Sequence, residues 1–214
     1  MIVILLGPPG AGKGTVSDFI SKKFNLFYLS TGDILRKKIE SNTSSDNEVA
    51  KLIREGKLIP DEMINQLVLE TITSTLYQNK HKGFLFDGFP RTVAQANFID
   101  EILINNSLKV NAVLLINCAD EIIIKRITSR RICPKTGKIY NLETNPPPAD
   151  EHLELIQRPD DVEDVIKKRL DVYKEQSFPL VNFYEKKKVI FPISAERTIE
   201  EVTHSIDEIL SNLS

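Results

Sequence analysis

The run Gly7-Pro8-Pro9-Gly10-Ala11-Gly12-Lys13-Gly14-Thr15 carries the first residues able to do chemistry. Its G-x-x-x-x-G-K spacing is that of a phosphate loop. Glycines let successive backbone N–H groups point into one concavity, and the lysine adds a full charge for the β- and γ-phosphates. The pattern usually puts Ser or Thr directly after the lysine to hold magnesium; here Gly14 stands there and Thr15 follows. Further on, Ser30-Thr31-Gly32-Asp33 forms by itself a helix capping box, Ser30 with Asp33 three residues later. Arg36, one turn into that helix, can reach back toward an anion. Phe84-Leu85-Phe86-Asp87 ends an apolar run on a carboxylate suited to a hydrated magnesium ion beside the phosphate loop. Gly88-Phe89-Pro90-Arg91 then brings another arginine, with Gln95 one helical turn on.

Two more arginine groups lie downstream. Arg126 and Arg130 stand four apart in a helical pattern opened by Asp120, which predicts both on one helix face. Arg158 precedes Asp160 and Asp161, which the spacing predicts as caps of a helix carrying Arg169. A solvated surface accounts for either pair alone. Together with Arg36 and Arg91 they exceed what a simple hydrolase requires. A transfer between two nucleotides uses them all, because donor and acceptor phosphates must be held in line while charge is neutralised.

The elements that position these residues are short apolar runs at 2–6, 26–29, 84–86, 113–116 and 189–193, separated by helix-length stretches. That alternation predicts βαβ units and an α/β fold with a parallel sheet covered on both faces. Ligands bind at the carboxyl edge of such a sheet, where the glycine-rich loop, Asp87 and Arg91 would all lie. Ile199, Val202, Ile206, Ile209 and Leu210 predict one buried face of a final helix. Residues 132–158, with Gly137 and Pro146-Pro147-Pro148, lack helical period and read as an inserted, loop-rich module. The length, 214 residues, with 41% hydrophobic and 27% charged, fits one domain with insertions. A formal net charge of −2 argues against a nucleic-acid partner. No apolar run approaches membrane-spanning length and no basic leader precedes the first strand, so no membrane partner is expected. Cys118 and Cys133 cannot build a disulfide framework, which points to a reducing, cytoplasmic setting.

In order along the chain stand GPPGAGKGT at 7–15, LSTGDILR at 29–36, GKLIPDE at 56–62, FDGFPRT at 86–92, RITSRR at 126–131, and RPDD at 158–161 with KKRLDVY at 167–173. By these motifs the chain resembles the bacterial adenylate kinases from its first strand to its last helix, and Gly14 is that family's own form of the loop. The resemblance implies the P-loop nucleoside monophosphate kinase fold: a five-stranded parallel sheet of order 2-3-1-4-5 flanked by helices. It divides the chain into a core (1–29, 60–128 and 162–214), a small NMP-binding domain (30–59) and a lid (129–161). The implied reaction is ATP + AMP giving two ADP, with Mg2+ bound with ATP and a monomer as the working form.

By motif match, Gly10, Ala11, Gly12, Lys13, Gly14 and Thr15 would bind ATP phosphates. Arg126 would stack on the donor adenine, and Ile139, Tyr140 and the backbone at Arg197 would also meet ATP. The AMP site would comprise Thr31, Arg36, Lys57, Leu58, Ile59, Gly88, Phe89, Pro90, Arg91 and Gln95. Lys13, Arg91, Arg130, Arg158 and Arg169 would serve transfer, Arg130 at the moving phosphoryl group and Arg158 and Arg169 bridging the two nucleotides. Asp87 would orient water on magnesium. No side chain is implied as covalent nucleophile or obligatory base. Lid closure would exclude water and suppress ATP hydrolysis.

The alternatives are a UMP/CMP kinase of the same superfamily, which Thr31 and Gln95 disfavour, and a phosphate-loop ATPase or switch, which leaves most of the arginines idle. Some family members staple the lid with zinc through paired C-x-x-C motifs. Here Cys133-Pro134-Lys135-Thr136 has a threonine in the second position, and 149–154 holds no cysteine. Cys133, His152 and Asp150 would leave a tetrahedral site short of a donor, so no structural metal is expected. Polar contacts and the packing of Ile132, Ile139 and Tyr140 should hold the lid instead.

Overall fold

The computed structural model describes residues 1–41, 48–78, 80–148 and 153–213. Its centre is a parallel sheet of β1 (Ile2–Leu6), β2 (Phe27–Ser30), β3 (Phe84–Asp87), β4 (Ala112–Asn117) and β7 (Ile190–Ser194), in the order β2-β3-β1-β4-β7. This is the order the resemblance implied, the fifth sheet strand being the seventh strand of the chain. The apolar runs at 26–29, 84–86, 113–116 and 189–193 locate their strands to within a residue at each end.

Every residue of β1 is buried, as a strand with helices on both faces requires. Ile2, Ile4 and Leu6 face one core with α4 (Asp61–Gln78), α5 (Val93–Asn105) and α8 (Pro179–Lys186). Val3 and Leu5 face the other with α1 (Lys13–Phe24) and α9 (Ile199–Ser211). A third cluster joins Ile123 and Ile127 of α6 (Asp120–Thr128) to Ile166 and Leu170 of α7 (Glu163–Val172). A π-helical turn (Tyr173–Ser177) continues α7 into α8, and α2 (Thr31–Ser41) and α3 (Glu48–Arg54) precede α4. The chain passes from β1 to β2 on one side and places β4 on the other. That switch opens a crevice at the carboxyl end of β1, where α1 begins.

Three local expectations are corrected. Arg130 is not on the helix of Arg126: α6 ends at Thr128, and Arg130 opens β5 (Arg130–Ile132), paired antiparallel with β6 (Ile139–Asn141). The hairpin itself stops the helix by taking its free carbonyls. Asn141 Nδ2 donates to Arg126 O at 3.0 Å, and Leu142 N to Ser129 O at 3.0 Å. Ile156 bridges Ile132 from the other side, so the insert is more sheet-like than its composition predicts.

Asp160 and Asp161 do not cap α7. Its N-cap is Val162, without a side-chain bond, and both carboxylates turn to arginines instead. On α9, Val202, Ile206 and Leu210 are buried as expected, while Ile199 at the first turn is 60% exposed. The cap there is a box of Thr198 with Glu201.

Candidate functional site

The phosphate loop runs from the end of β1 to Gly12, the N-cap of α1. Gly12 has φ 101°, a left-handed value, and a Cβ built there meets no atom within 4 Å, so the loop is open toward the crevice. Two loop amides close on the loop itself, Ala11 N on Pro8 O at 3.3 Å and Thr15 N on Gly12 O at 2.9 Å. Lys13 Nζ donates to Gly7 O and Pro8 O, both at 2.8 Å, which holds the ammonium across the loop mouth. Burial pushes Lys13 down to about 8; Asp87 pulls it back up, and Arg91, Arg169 and Arg130 push it further down. The lysine and three arginines therefore share one low-dielectric space.

Asp87 ends β3 level with Leu5 and Ser30. Tyr28 OH donates to its Oδ2 at 3.0 Å. Burial first, then Asp87, hold the Tyr28 hydroxyl well above the ordinary phenol range, so it stays protonated. The next residue, Gly88, has φ +77°, and a Cβ there would lie 2.9 Å from Thr31 Oγ1 and 3.0 Å from Arg91 Nη2. Without that glycine neither residue could seat on the turn. Thr31 Oγ1 donates to Gly88 O at 2.9 Å, and Arg91 Nε donates to the same oxygen at 2.9 Å.

Arg91 N donates to Gln95 Oε1 at 2.7 Å, and Gln95 Nε2 donates to Asp61 Oδ1 at 2.7 Å. Thr92 Oγ1, the N-cap of α5, donates to Asp61 Oδ2 at 2.8 Å. Asp61, the first residue of α4, thus ties the segment 56–62 to the Arg91 turn. Phe89 is fully buried against the first core, 6.4 Å from the Phe86 ring, so its side chain is structural. The Phe89–Pro90 peptide is cis.

The remaining arginines sit on carboxylates. Arg130 forks onto Asp161, with Nε 2.8 Å from Oδ2 and Nη2 on Oδ1; Asp161 is fully buried. Arg169 Nη1 donates to Asp160 Oδ2 at 2.7 Å. Arg36 Nη2 donates to Asp33 Oδ1, and Asp33 N donates to the Ser30 hydroxyl at 3.3 Å. Only the hydroxyl half of the Ser30–Asp33 box forms, because Arg36 holds the carboxylate. Burial raises the Asp33 carboxyl, but the Arg36 bond and charge bring it below its usual value.

Arg158 Nε is buried without a hydrogen-bond partner. Burial, then Arg130 and Arg36, push Arg158 down to about 10. Burial, then Arg169, push Arg91 down to about 10, with Asp87 opposing and Arg36 adding. Six cations from five separate segments, Lys13, Arg36, Arg91, Arg130, Arg158 and Arg169, therefore feel one another. Such a cluster is stable only with anions among it, and Asp33, Asp87, Asp160 and Asp161 supply them.

Other predicted residues lie apart from this cluster. Arg126 Nη2 donates to Ala195 O at 2.8 Å and Nη1 to Cys118 Sγ at 3.6 Å, by the loops after β7 and β4. Arg197 is exposed beyond Ala195. Tyr140 is buried with Lys138 Nζ 5.1 Å from its ring centroid, whereas Ile139 is 48% exposed and does not pack the insert as expected. Lys57 is exposed and paired with Glu55 at 2.7 Å; Leu58 is half-buried and Ile59 buried. Cys118 and Cys133 are both free thiols. Asp150 and His152 lie outside the described residues, among which no group of three or more metal-ligating side chains occurs. No helix of the described chain is long and apolar enough to cross a membrane.

Sequence reasoning gave no role to Tyr28, Asp61, Asp160 or Asp161 at the site. A signal existed for the last two, an acidic pair directly after Arg158, and for Asp61 in the motif at 56–62. Tyr28 carried none, since its bond to Asp87 depends on strand pairing across 59 residues.

Residues 5–189 match the family model described as Adenylate kinase. An adenylate kinase of Pseudothermotoga lettingae is 39% identical over 218 residues, covering 100% of this chain and 99% of its own. One from Clostridium botulinum (strain 657 / Type Ba4) is 43% identical over 215 residues, with 98% of each chain covered. Another from Clostridium perfringens (strain SM101 / Type A) is 41% identical over 217 residues, with 99% of each covered.

Proposed function

The chain belongs to the adenylate kinase family and carries out ATP + AMP to two ADP, and from that premise we propose a division of labour among its residues. Family membership implies Mg-ATP as the donor. Gly10, Ala11, Gly12, Lys13, Gly14 and Thr15 take the donor phosphates, Arg126 the donor adenine, and Ile139, Tyr140 and the Arg197 backbone line its approach. Thr31, Arg36, Lys57, Leu58, Ile59, Gly88, Phe89, Pro90, Arg91 and Gln95 make the AMP site, Phe89 and Pro90 through backbone only. Arg130, Arg158 and Arg169 stand between the two. The domains divide as 1–29, 60–128 and 162–214 (core), 30–59 (AMP-binding) and 129–161 (lid). The protein works in the cytoplasm, for which the two unpaired thiols are the support, and as a monomer, as the family resemblance implies.

The observation that carries this division is the mutual crowding of Lys13, Arg36, Arg91, Arg130, Arg158 and Arg169. Two nucleotides bring enough negative charge to satisfy them all, and in doing so they take the place of Asp33, Asp160 and Asp161. The acceptor phosphate oxygen then attacks without a general base, while fixed cations neutralise charge developing on the transferred group.

Asp87 fits magnesium: it is a carboxylate beside the phosphate loop with one oxygen engaged by Tyr28. When bound, magnesium would add positive charge at the phosphates, and Asp87 would hold it by orienting one of its waters. The lid needs no zinc, since Cys133 stands without a second cysteine. Steady-state kinetics test the two-site split: Arg36→Ala should raise KM for AMP with little change in kcat, and Arg130→Ala should chiefly lower kcat. Equal effects of Arg36→Ala on both substrates would sink it.

A further inference from the structure

Tyr28 carries no role in the division above, yet it makes the only side-chain hydrogen bond that Asp87 has among the described residues. β2 alternates about the sheet: Phe27 packs against the first core, Tyr28 against the second beneath α1. In the β2–β3 ladder Tyr28 sits opposite Leu85, and Ser30 opposite Asp87. The hydroxyl must therefore climb two residues, roughly 6.6 Å along the strand, to reach the carboxylate at the edge. Tyrosine is long enough and ends in a donor. A phenylalanine would fill the same space without the bond.

The bond matters because Asp87 lies within electrostatic reach of Lys13 and Arg91. A carboxylate free to rotate there is drawn toward the cations. An ionised carboxylate has acceptor sites on both oxygens, so a donor fixed on Oδ2 leaves Oδ1 to accept from something else. Lys13 is itself held elsewhere, on Gly7 O and Pro8 O.

We infer that Tyr28 is a positioning residue for the donor's metal, its hydroxyl holding Asp87 Oδ2 so that Oδ1 accepts from a magnesium-bound water. The inference rests on the assignment of Asp87 to magnesium, and the test separates the two. Mn2+ is the probe. Its affinity for the enzyme–ADP complex is measured from the electron paramagnetic resonance of free Mn2+ for wild type, Tyr28→Phe, Asp87→Asn and the double variant. ADP affinity without metal is measured in parallel by calorimetry.

Tyr28→Phe should weaken Mn2+ roughly three- to tenfold, the scale of one ordinary net hydrogen bond, because the carboxylate itself remains to hold the metal's water. Metal-free ADP affinity should stay unchanged. In the Asp87→Asn background the tyrosine change should weaken Mn2+ no further. The Mg2+ concentration for half-maximal activity should rise by the same factor, at constant KM for AMP. Weakened Mn2+ binding in Asp87→Asn with wild-type binding in Tyr28→Phe overturns the inference and leaves the Asp87 assignment standing. Unchanged binding in Asp87→Asn overturns both. Equal weakening of metal-free ADP by Tyr28→Phe would make the tyrosine structural and overturn the inference.

Discussion

Replacing Asp61 by alanine should loosen the AMP side of the site and the fold together. Asp61 accepts from Gln95 Nε2 at 2.7 Å and from Thr92 Oγ1 at 2.8 Å. Gln95 is 2% exposed, so water cannot readily replace the lost acceptor. A buried donor left unpaired costs about 1–3 kcal/mol, and an acidic residue lost from a helix's first turn adds ~0.5 kcal/mol. Thr92 still accepts from Gln95 N at 3.1 Å, so its share is small. The sum, about 2–3 kcal/mol, corresponds to a fall in Tm of roughly 5–10 °C for a chain of this size. Gln95 then no longer has its amide fixed between Arg91 N and Asp61, and KM for AMP should rise roughly fivefold or more, equivalent to ~1 kcal/mol. Differential scanning calorimetry and initial rates with AMP varied at saturating Mg-ATP give both numbers. Asp61→Asn, which keeps an acceptor, should fall between. A Tm within 1 °C of wild type (set against the ~2 kcal/mol expected) with an unchanged KM for AMP would refute the role assigned to this carboxylate.

Other outcomes follow from the site. Burial lowers Lys13 to about 8 from 10.5, so in the free enzyme its charge is lost as pH rises through 8. Because the charged form binds phosphate, kcat/KM for Mg-ATP should fall above about pH 8; a profile flat to pH 10 would contradict it. Stability moves the other way: between 8 and 10.5 the unfolded chain holds the proton that folded Lys13 has released, so this group's contribution to stability rises with pH. That rise should be missing from denaturation curves of Lys13→Met. For the lid, elemental analysis of protein purified without chelator should find no stoichiometric zinc; near-stoichiometric zinc, lost with thermal stability on Cys133→Ser, would overturn the zinc-free lid.

Local chemistry and periodicity carried much of this site. The glycine-rich run, the unbroken apolar strand before it and the carboxylate closing Phe84-Leu85-Phe86 each state their conformation locally, and the sheet places them on one edge. Arg130 was misplaced because helical spacing from Arg126 continues past Thr128 in the sequence. What ends the helix is Asn141 and Leu142, which cap its carbonyls from beyond the intervening turn. The pairing of Asp160 and Asp161 with Arg169 and Arg130 was equally hidden, since an acidic pair before a helix serves as a cap in most contexts. Tyr28 lay furthest from view: a phenol on an edge strand looks like core until the register with β3 sets its hydroxyl beside Asp87.

The central claim is that Lys13, held across the loop mouth by Gly7 O and Pro8 O, serves the transferred phosphates and not the fold. Measuring ADP formation from Mg-ATP and AMP by Lys13→Ala, with its melting curve beside wild type, tests it most directly. The account predicts a folded protein whose turnover is lower by on the order of 10³-fold or more, as for loss of a cation at a transferring phosphoryl group. Activity within about tenfold of wild type, a loss of only ~1.4 kcal/mol in the barrier, would contradict it.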